Sequence, residues 1–168
     1  SCSLMLDRGW HSGSVVGTYA AAAAAGWLLR LTPAQMAHAF GIAGTQSSGL
    51  MSAQFGSMVK RMHHGRSAQS RVYAAVLAKR GYTGIERIFE EPYGGFCTVF
   101  TATPDQFDLN QLVDGLGDRF ETELIAIKPY SCNASIHSSL DAIRAIRERR
   151  PFADSDVRRV IVRCTRAT

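Results

Sequence analysis

Between Ser14 and Leu29 the chain carries an unbroken alanine run, Ala20 to Ala25, bounded by Gly17 and Gly26. Alanine has the highest helix propensity of any residue, so the segment is expected to be helical. Side chains this small let other helices approach closely, which makes this a tightly packed interior helix around which the rest must be arranged. The segment lacks the basic start and cleavage pattern of a secretory leader. No stretch reaches the roughly 18 uninterrupted apolar residues needed to span a bilayer. The expectation is a soluble, cytoplasmic protein, or a mitochondrial one in a eukaryote.

Thr32, Pro33 and Gln35 supply an N-cap, a first-turn proline and a capping-box partner, so a second helix should run to about Ala43. Met36, Ala39, Phe40 and Ala43 would form its buried stripe. From Gly44 to Gly65 the sequence is rich in Gly and Ser without sustained period, and reads as a long connection. A third helix is expected from Arg66 to Arg80, burying Ala68, Val72, Ala75, Val76 and Ala78 and ended by Gly81. Thr83 and Glu86 suggest another capping box, opening a short helix that stops before Pro92. A loop from Pro92 to Thr103 and a helix around Gln106 to Leu116 would follow.

Beyond residue 120 the pattern changes to a strand over Glu123–Ile127, a helix over Ala134–Arg149 with Ile136, Leu140, Ile143 and Ile146 as its stripe, and a terminal strand over Val157–Thr165. A strand-helix-strand unit belongs to a larger sheet. The expectation is therefore a partial helical domain over 1–120 and the truncated start of an α/β domain over 121–168. The first residue is Ser, and both ends read as cuts.

Cys2, Cys97, Cys132 and Cys164 lie far apart, with no C-x-x-C pair and no His at zinc-ligand spacing, so no metal site is expected. The net charge of +5 would suit an acidic partner. Much of that excess sits among Arg144 to Arg166, as a solvated face. Basic residues are not interleaved with aromatics as a single-strand platform requires, so nucleic acid is not the expected partner. The arginine-rich tail leaves a non-catalytic module binding nucleic acid or an acidic protein as the rival reading. Nucleophile-elbow, phosphate-loop and dinucleotide fingerprints are absent.

Three clusters could carry chemistry. Lys60-Arg61-Met62-His63-His64-Gly65-Arg66 should attract anions, helped by backbone N–H groups at the start of the third helix. His11 lies between Gly9 and Gly13, where backbone and ligand can approach closely. Lys128-Pro129-Tyr130-Ser131-Cys132-Asn133 ends the predicted strand, with His137 in the first turn of the next helix.

Taken in order, Gly9-Trp10-His11, the alanine helix, Gly41-Ile42-Ala43-Gly44, Lys60 to Ser70, Arg80 to Gly84, Glu91 to Phe96, Ile127 to Tyr130 and Ile136-His137 closely resemble the MmgE/PrpD family. The resemblance covers essentially the whole chain. It implies a mainly α protein, with an all-helical domain followed by an α/β lid domain, of which this chain would be a central fragment, inactive alone. The parent would be a homodimeric, cofactor-independent lyase for small polycarboxylic acids, with its active site between the domains. The family's reactions are dehydration, as of 2-methylcitrate, decarboxylation, as of cis-aconitate, and epimerisation.

By motif position the resemblance implies His11, Lys60 and Lys128 as catalytic residues, with His63 and His137 beside them at the substrate. It also implies an acidic residue and a histidine contributed from the part before this chain. Asn133 stands where the decarboxylase branch carries a histidine, which leaves the branch open. A substrate with several carboxylates needs several cationic donors, for which Lys60, Arg61 and Lys128 are suited. Elimination needs a base and an acid, and decarboxylation needs an acid to protonate the carbon left behind; His11 is the leading candidate for either role.

Overall fold

The computed structural model describes residues 2–101 and 107–163. They divide into two compact units, Ser1–Asp114 and Gly115–Thr168. In the first, α1 (Cys2–Asp7) leads into α2 (Ser12–Leu28), α3 (Pro33–Gly44), α4 (Val59–Lys79) and the short α5 (Phe96–Thr101). The second contains α6 (His137–Arg149) among 3-10 turns and extended segments.

The alanine segment forms the expected interior helix, opening at Ser12. Its Ala22 packs with Ala39, Ile42 and Ala43 of α3 and Ala74 and Ala78 of α4 in one buried cluster. Near the other end of α2, Val15 joins Met5, Ile88, Phe96 and Phe100, with Trp10, Tyr19, Phe40 and Phe89 packed around them. The capping box at α3 is present: Thr32 Oγ1 accepts the Gln35 N–H at 3.3 Å, and Gln35 Oε1 accepts the Thr32 N–H at 3.0 Å. Gly81 ends α4 with φ of 87°, a conformation that suits glycine.

Several expectations are corrected. The helix placed at Arg66 begins at Val59, so the basic cluster lies inside α4 and not in a loop before it. Gly65 and the adjacent histidines weaken local propensity there, but Lys60, Arg61 and Met62 are good helix formers, and the helix extends back from the turn anchored by buried Ser67 and Arg71. The buried face of α4 is also rotated: Ser67, Arg71, Ala74, Ala75 and Ala78 are buried, whereas Ala68 and Val72 are exposed. The short helix expected after Thr83 is a run of turns, while Phe96 and Phe100 anchor α5 in the segment read as loop.

The helix expected over 106–116 reduces to a 3-10 turn at Leu109–Leu112, with Gln106 outside the described residues. In the second unit the expected helix is present, as a 3-10 turn at Ala134–Ile136 running into α6. Its apolar stripe is largely uncovered: Ile136, Ile143 and Ile146 are exposed. Of the two expected strands, the first is a 3-10 turn at Glu121–Leu124 followed by extended chain, and 157–163 is extended without a ladder. Residues 164 and 165 lie outside the described residues. A strand needs a hydrogen-bonded neighbour, and the described residues supply none to either segment. No helix among the described residues is long and apolar enough to cross a membrane.

Gly41 of α3 meets the 84–85 segment backbone to backbone: a Cβ there would fall on the backbone N and O of Ile85. Backbone cannot swing aside as a side chain can, so Gly41→Ala should cost about 2–3 kcal/mol, the upper range of overpacking. At Gly65, within α4, an added methyl would meet nothing within 4 Å. Gly65→Ala should instead stabilise by about 0.5–1 kcal/mol. Urea midpoints of the two variants should therefore move in opposite directions.

Candidate active site

His11 occupies the N-cap position of α2 without a side-chain cap bond, which leaves its imidazole available. Its backbone is held by a second segment: the His11 N–H donates to the Gly49 carbonyl at 2.8 Å, and the Met51 N–H donates to the Gly9 carbonyl at 2.7 Å. These bonds flank an isolated antiparallel bridge between Trp10 and Leu50. Gly49 is buried with φ of 138°, and a Cβ there would strike Ser14 Oγ and crowd His11 Cβ and His63 Nδ1 at 3.2 Å. Only glycine lets the loop pass this close to both histidines.

From α4, His63 brings its Nδ1 to 3.0 Å from His11 Nδ1. His64 lies edge-on to His11 with ring centroids 4.7 Å apart, over Gly13, where a Cβ would meet His64 Cε1 at 2.9 Å. A bond between two Nδ1 atoms requires one to donate and the other to accept. When both rings are neutral, the acceptor ring must therefore carry its proton on Nε2, while the donor ring has a bare Nε2. The pair thus presents one acid and one base at its outer nitrogens. Shifting the shared proton exchanges them, provided the outer protons move too.

One wall of a cavity of about 500 Å³ is formed by Val59, Met62, His63, Arg66 and Ser67 of α4. Ser48, Leu50 and Ser52 of the α3–α4 connection face them. Lys60 does not line it, but is near enough to His11 to act on it electrostatically. Arg61 is exposed and not among the lining residues. His11, His63 and Lys60 are therefore brought together, and Arg61 is not. Among the described residues, no group of three His, Cys, Asp or Glu side chains is arranged to hold a metal ion.

Lys128 and His137 lie in the second unit. Lys128 Nζ donates to the Cys132 carbonyl at 3.3 Å, and the His137 ring packs against Tyr130 with centroids 5.2 Å apart. Tyr130 donates its hydroxyl to Asp141 and accepts from Arg144 Nη1 at 3.2 Å, which ties this loop to α6. Asn133 accepts the Ser135 N–H and hydroxyl through its side-chain oxygen, so it caps the turn that opens the helix.

Residues missed by sequence reasoning hold the site in place. Ser14, in the first turn of α2, has its hydroxyl 2.8 Å from the carbonyl oxygens of both His11 and Ser48, which share its single proton. Its own carbonyl accepts from Ser67 Oγ at 2.6 Å and from Arg71 Nη2 at 2.8 Å. A buried arginine on a helix face is rare enough to be read as surface from sequence.

The MmgE/PrpD N-terminal domain model matches residues 3–108. The chain is 41% identical over 151 residues to the cis-aconitate decarboxylase-like protein oryM of Aspergillus oryzae, and 42% identical over 150 residues to a cis-aconitate decarboxylase of Aspergillus terreus. Each alignment covers 88% of this chain and 31% of the relative. The chain belongs to the MmgE/PrpD family. A cis-aconitate decarboxylase of Homo sapiens is 26% identical over 167 residues, covering 94% of this chain and 33% of the relative. The chain thus spans about a third of the length of these MmgE/PrpD relatives. His11, Lys60, Arg61 and His63 fall within the matched N-terminal domain, and Lys128 and His137 lie beyond it.

Burial lowers the pKa of His11, and His64, His63 and Lys60 push it down further, so neutral pH favours the uncharged ring. The unfolded imidazole titrates near 6.5. Between that value and the lower folded one, the unfolded state binds more protons, so stability falls as pH falls. Wild type should lose stability on acidification from pH 7 to pH 5, and His11→Gln should lose less. Urea midpoints measured across that range check both.

Proposed function

We propose that this chain supplies the acid/base part of the active site of a lyase acting on small polycarboxylic acids, with decarboxylation of a cis-aconitate-like acid as its reaction. The observation that carries this reading is the Nδ1–Nδ1 contact between His11 and His63 beside a cavity. The family membership and the names of the relatives give that pair its chemistry.

In decarboxylation the bond from carbon to the leaving carboxylate breaks, carbon dioxide departs, and the electron pair stays on the substrate. A proton must then reach a substrate carbon, and the Nε2–H presented by the pair is the donor we assign. The bare Nε2 of the partner ring can take up the replacement proton. Lys60, close to His11, would favour an anionic substrate while keeping the imidazole neutral between turnovers. Dehydration would use the same two nitrogens, one to remove a proton beside a carboxylate and one to protonate the departing hydroxyl.

Lys128 and His137 are assigned to the same site through the family resemblance, with residues 121–168 opening its lid domain and a homodimer as the assembly. No organic cofactor or metal enters the scheme.

The test uses the full-length polypeptide in heavy water with cis-aconitate, 2-methylcitrate or citrate, followed by proton NMR. Loss of carbon dioxide from cis-aconitate is expected, with kcat reduced about 10²- to 10⁴-fold in His11→Gln and in His63→Gln. Loss of water from 2-methylcitrate instead would move the assignment to the dehydratase branch. Turnover of none of these acids, or undiminished turnover in both variants, would overturn the reading.

A further inference from the structure

The basic run on α4 does not act as one patch, because a helix distributes its residues over different faces. Residues three and four apart share a face. Val59, Met62, His63, Arg66 and Ser67 therefore make one stripe, and these are the α4 residues that line the cavity. Among the lining residues Arg66 carries the fixed positive charge, one turn beyond His63 on the same stripe. Arg61 is exposed elsewhere on the helix, and one turn after it a Cβ added at Gly65 would meet nothing within 4 Å.

The guanidinium of Arg66 is also oriented. Its Nη1 donates to Oε1 of Gln69, an exposed residue three positions on that does not itself line the cavity, at 2.7 Å. Guanidinium has five N–H donors in a planar fork, so this bond leaves donors for a two-point grip on a carboxylate. Opposite lie the serine side chains of the α3–α4 connection, and the Leu50, Val59 and Met62 side chains give the cavity apolar walls. The recess is open to solvent, since Leu50, Val59 and Met62 are themselves partly exposed, but apolar walls with a few convergent polar groups are the features by which small-molecule sites are recognised.

We propose that Arg66 binds a non-reacting carboxylate of the substrate and thereby sets selectivity for polycarboxylic over monocarboxylic acids. The inference rests on the lyase reading above, but it concerns binding and not the proton transfer. Holding one carboxylate at Arg66 would leave the rest of a short acid to reach toward His63, one turn back along the helix. The contact is made in both ground state and transition state, so its loss should appear in KM more than in kcat.

The probe is tricarballylate, a saturated tricarboxylate, titrated calorimetrically into full-length protein. Arg66→Gln is expected to raise its Kd about 10- to 100-fold, the usual size of a lost charged hydrogen-bond pair. Arg66→Lys, which keeps charge but not the fork, should fall between. Arg80→Gln, at the far end of α4, should bind like wild type. KM for the turned-over acid should rise in Arg66→Gln with kcat little changed. Arg66 is exposed, so thermal melting should be unchanged and a folding defect can be recognised.

Unaltered tricarballylate affinity in Arg66→Gln, with wild-type turnover intact, would overturn the Arg66 assignment and leave the lyase reading standing. The same follows if Arg61→Gln loses affinity while Arg66→Gln does not. Wild type that neither binds tricarballylate nor turns over any polycarboxylate would overturn both.

Discussion

At the first turn of α2, the carbonyl oxygen of Ser14 meets two donors from α4, the Ser67 hydroxyl at 2.6 Å and Arg71 Nη2 at 2.8 Å. Arg71 reaches on to Thr18 Oγ1, one turn further along α2, at 2.7 Å. Two residues a turn apart on one helix thus grip two residues a turn apart on the other, which fixes both rotation and register. His11 lies just before Ser14 and passes its own carbonyl to the Ser14 N–H and hydroxyl. His63 lies one turn before Ser67. The 3.0 Å meeting of the two imidazoles follows from this grip, because neither ring could keep its position if the helices rotated.

Burying a guanidinium is costly, and the partners of Arg71 here are a carbonyl and a hydroxyl rather than a carboxylate. Burial brings its pKa down to about 10, so it is still charged at neutral pH. An apolar residue would pack the same interface without that cost, but it could not hold a particular carbonyl. The charge therefore makes best sense as an orienting device. Glycines complete the arrangement from the other side. Gly49 lets the loop cross beside His11 and His63, and Gly13 makes room for the edge of His64.

What was legible in the sequence was what local chemistry determines. The alanine helix, the Thr32 capping box and the Gly81 stop depend on propensity, cap geometry and backbone freedom, which are written in adjacent residues. The start of α4 was not legible, since Gly65 and two histidines interrupt the pattern there and the anchor of that end, the buried Ser67 and Arg71, lies beyond them. α5 escaped notice for a similar reason: Phe96 and Phe100 are drawn in by an aromatic cluster assembled from distant positions. The two expected strands depend on pairing that no local pattern can provide. In the site, His11, Lys60 and His63 stood out as titratable residues in small-residue or basic surroundings. Ser14 and Arg71 did not, because their importance lies in one backbone oxygen.

Moving the basic cluster from a loop into a helix changes what it can do. As a loop, Lys60 to Arg66 would be a diffuse field of positive charge. On α4 the same seven residues are sorted by helical periodicity. Lys60 and His64 lie on the turns that approach the start of α2, His63 and Arg66 line the cavity, and Arg61 is left outside. Lys60, which acts on the His11 ring, is thereby set apart from Arg66, which lines the cavity, although both come from one short stretch of sequence. A rigid helix also holds side chains more precisely than a loop does. Because α4 is anchored by Arg71 two turns beyond His63, both stripes inherit their placement from the same buried contact.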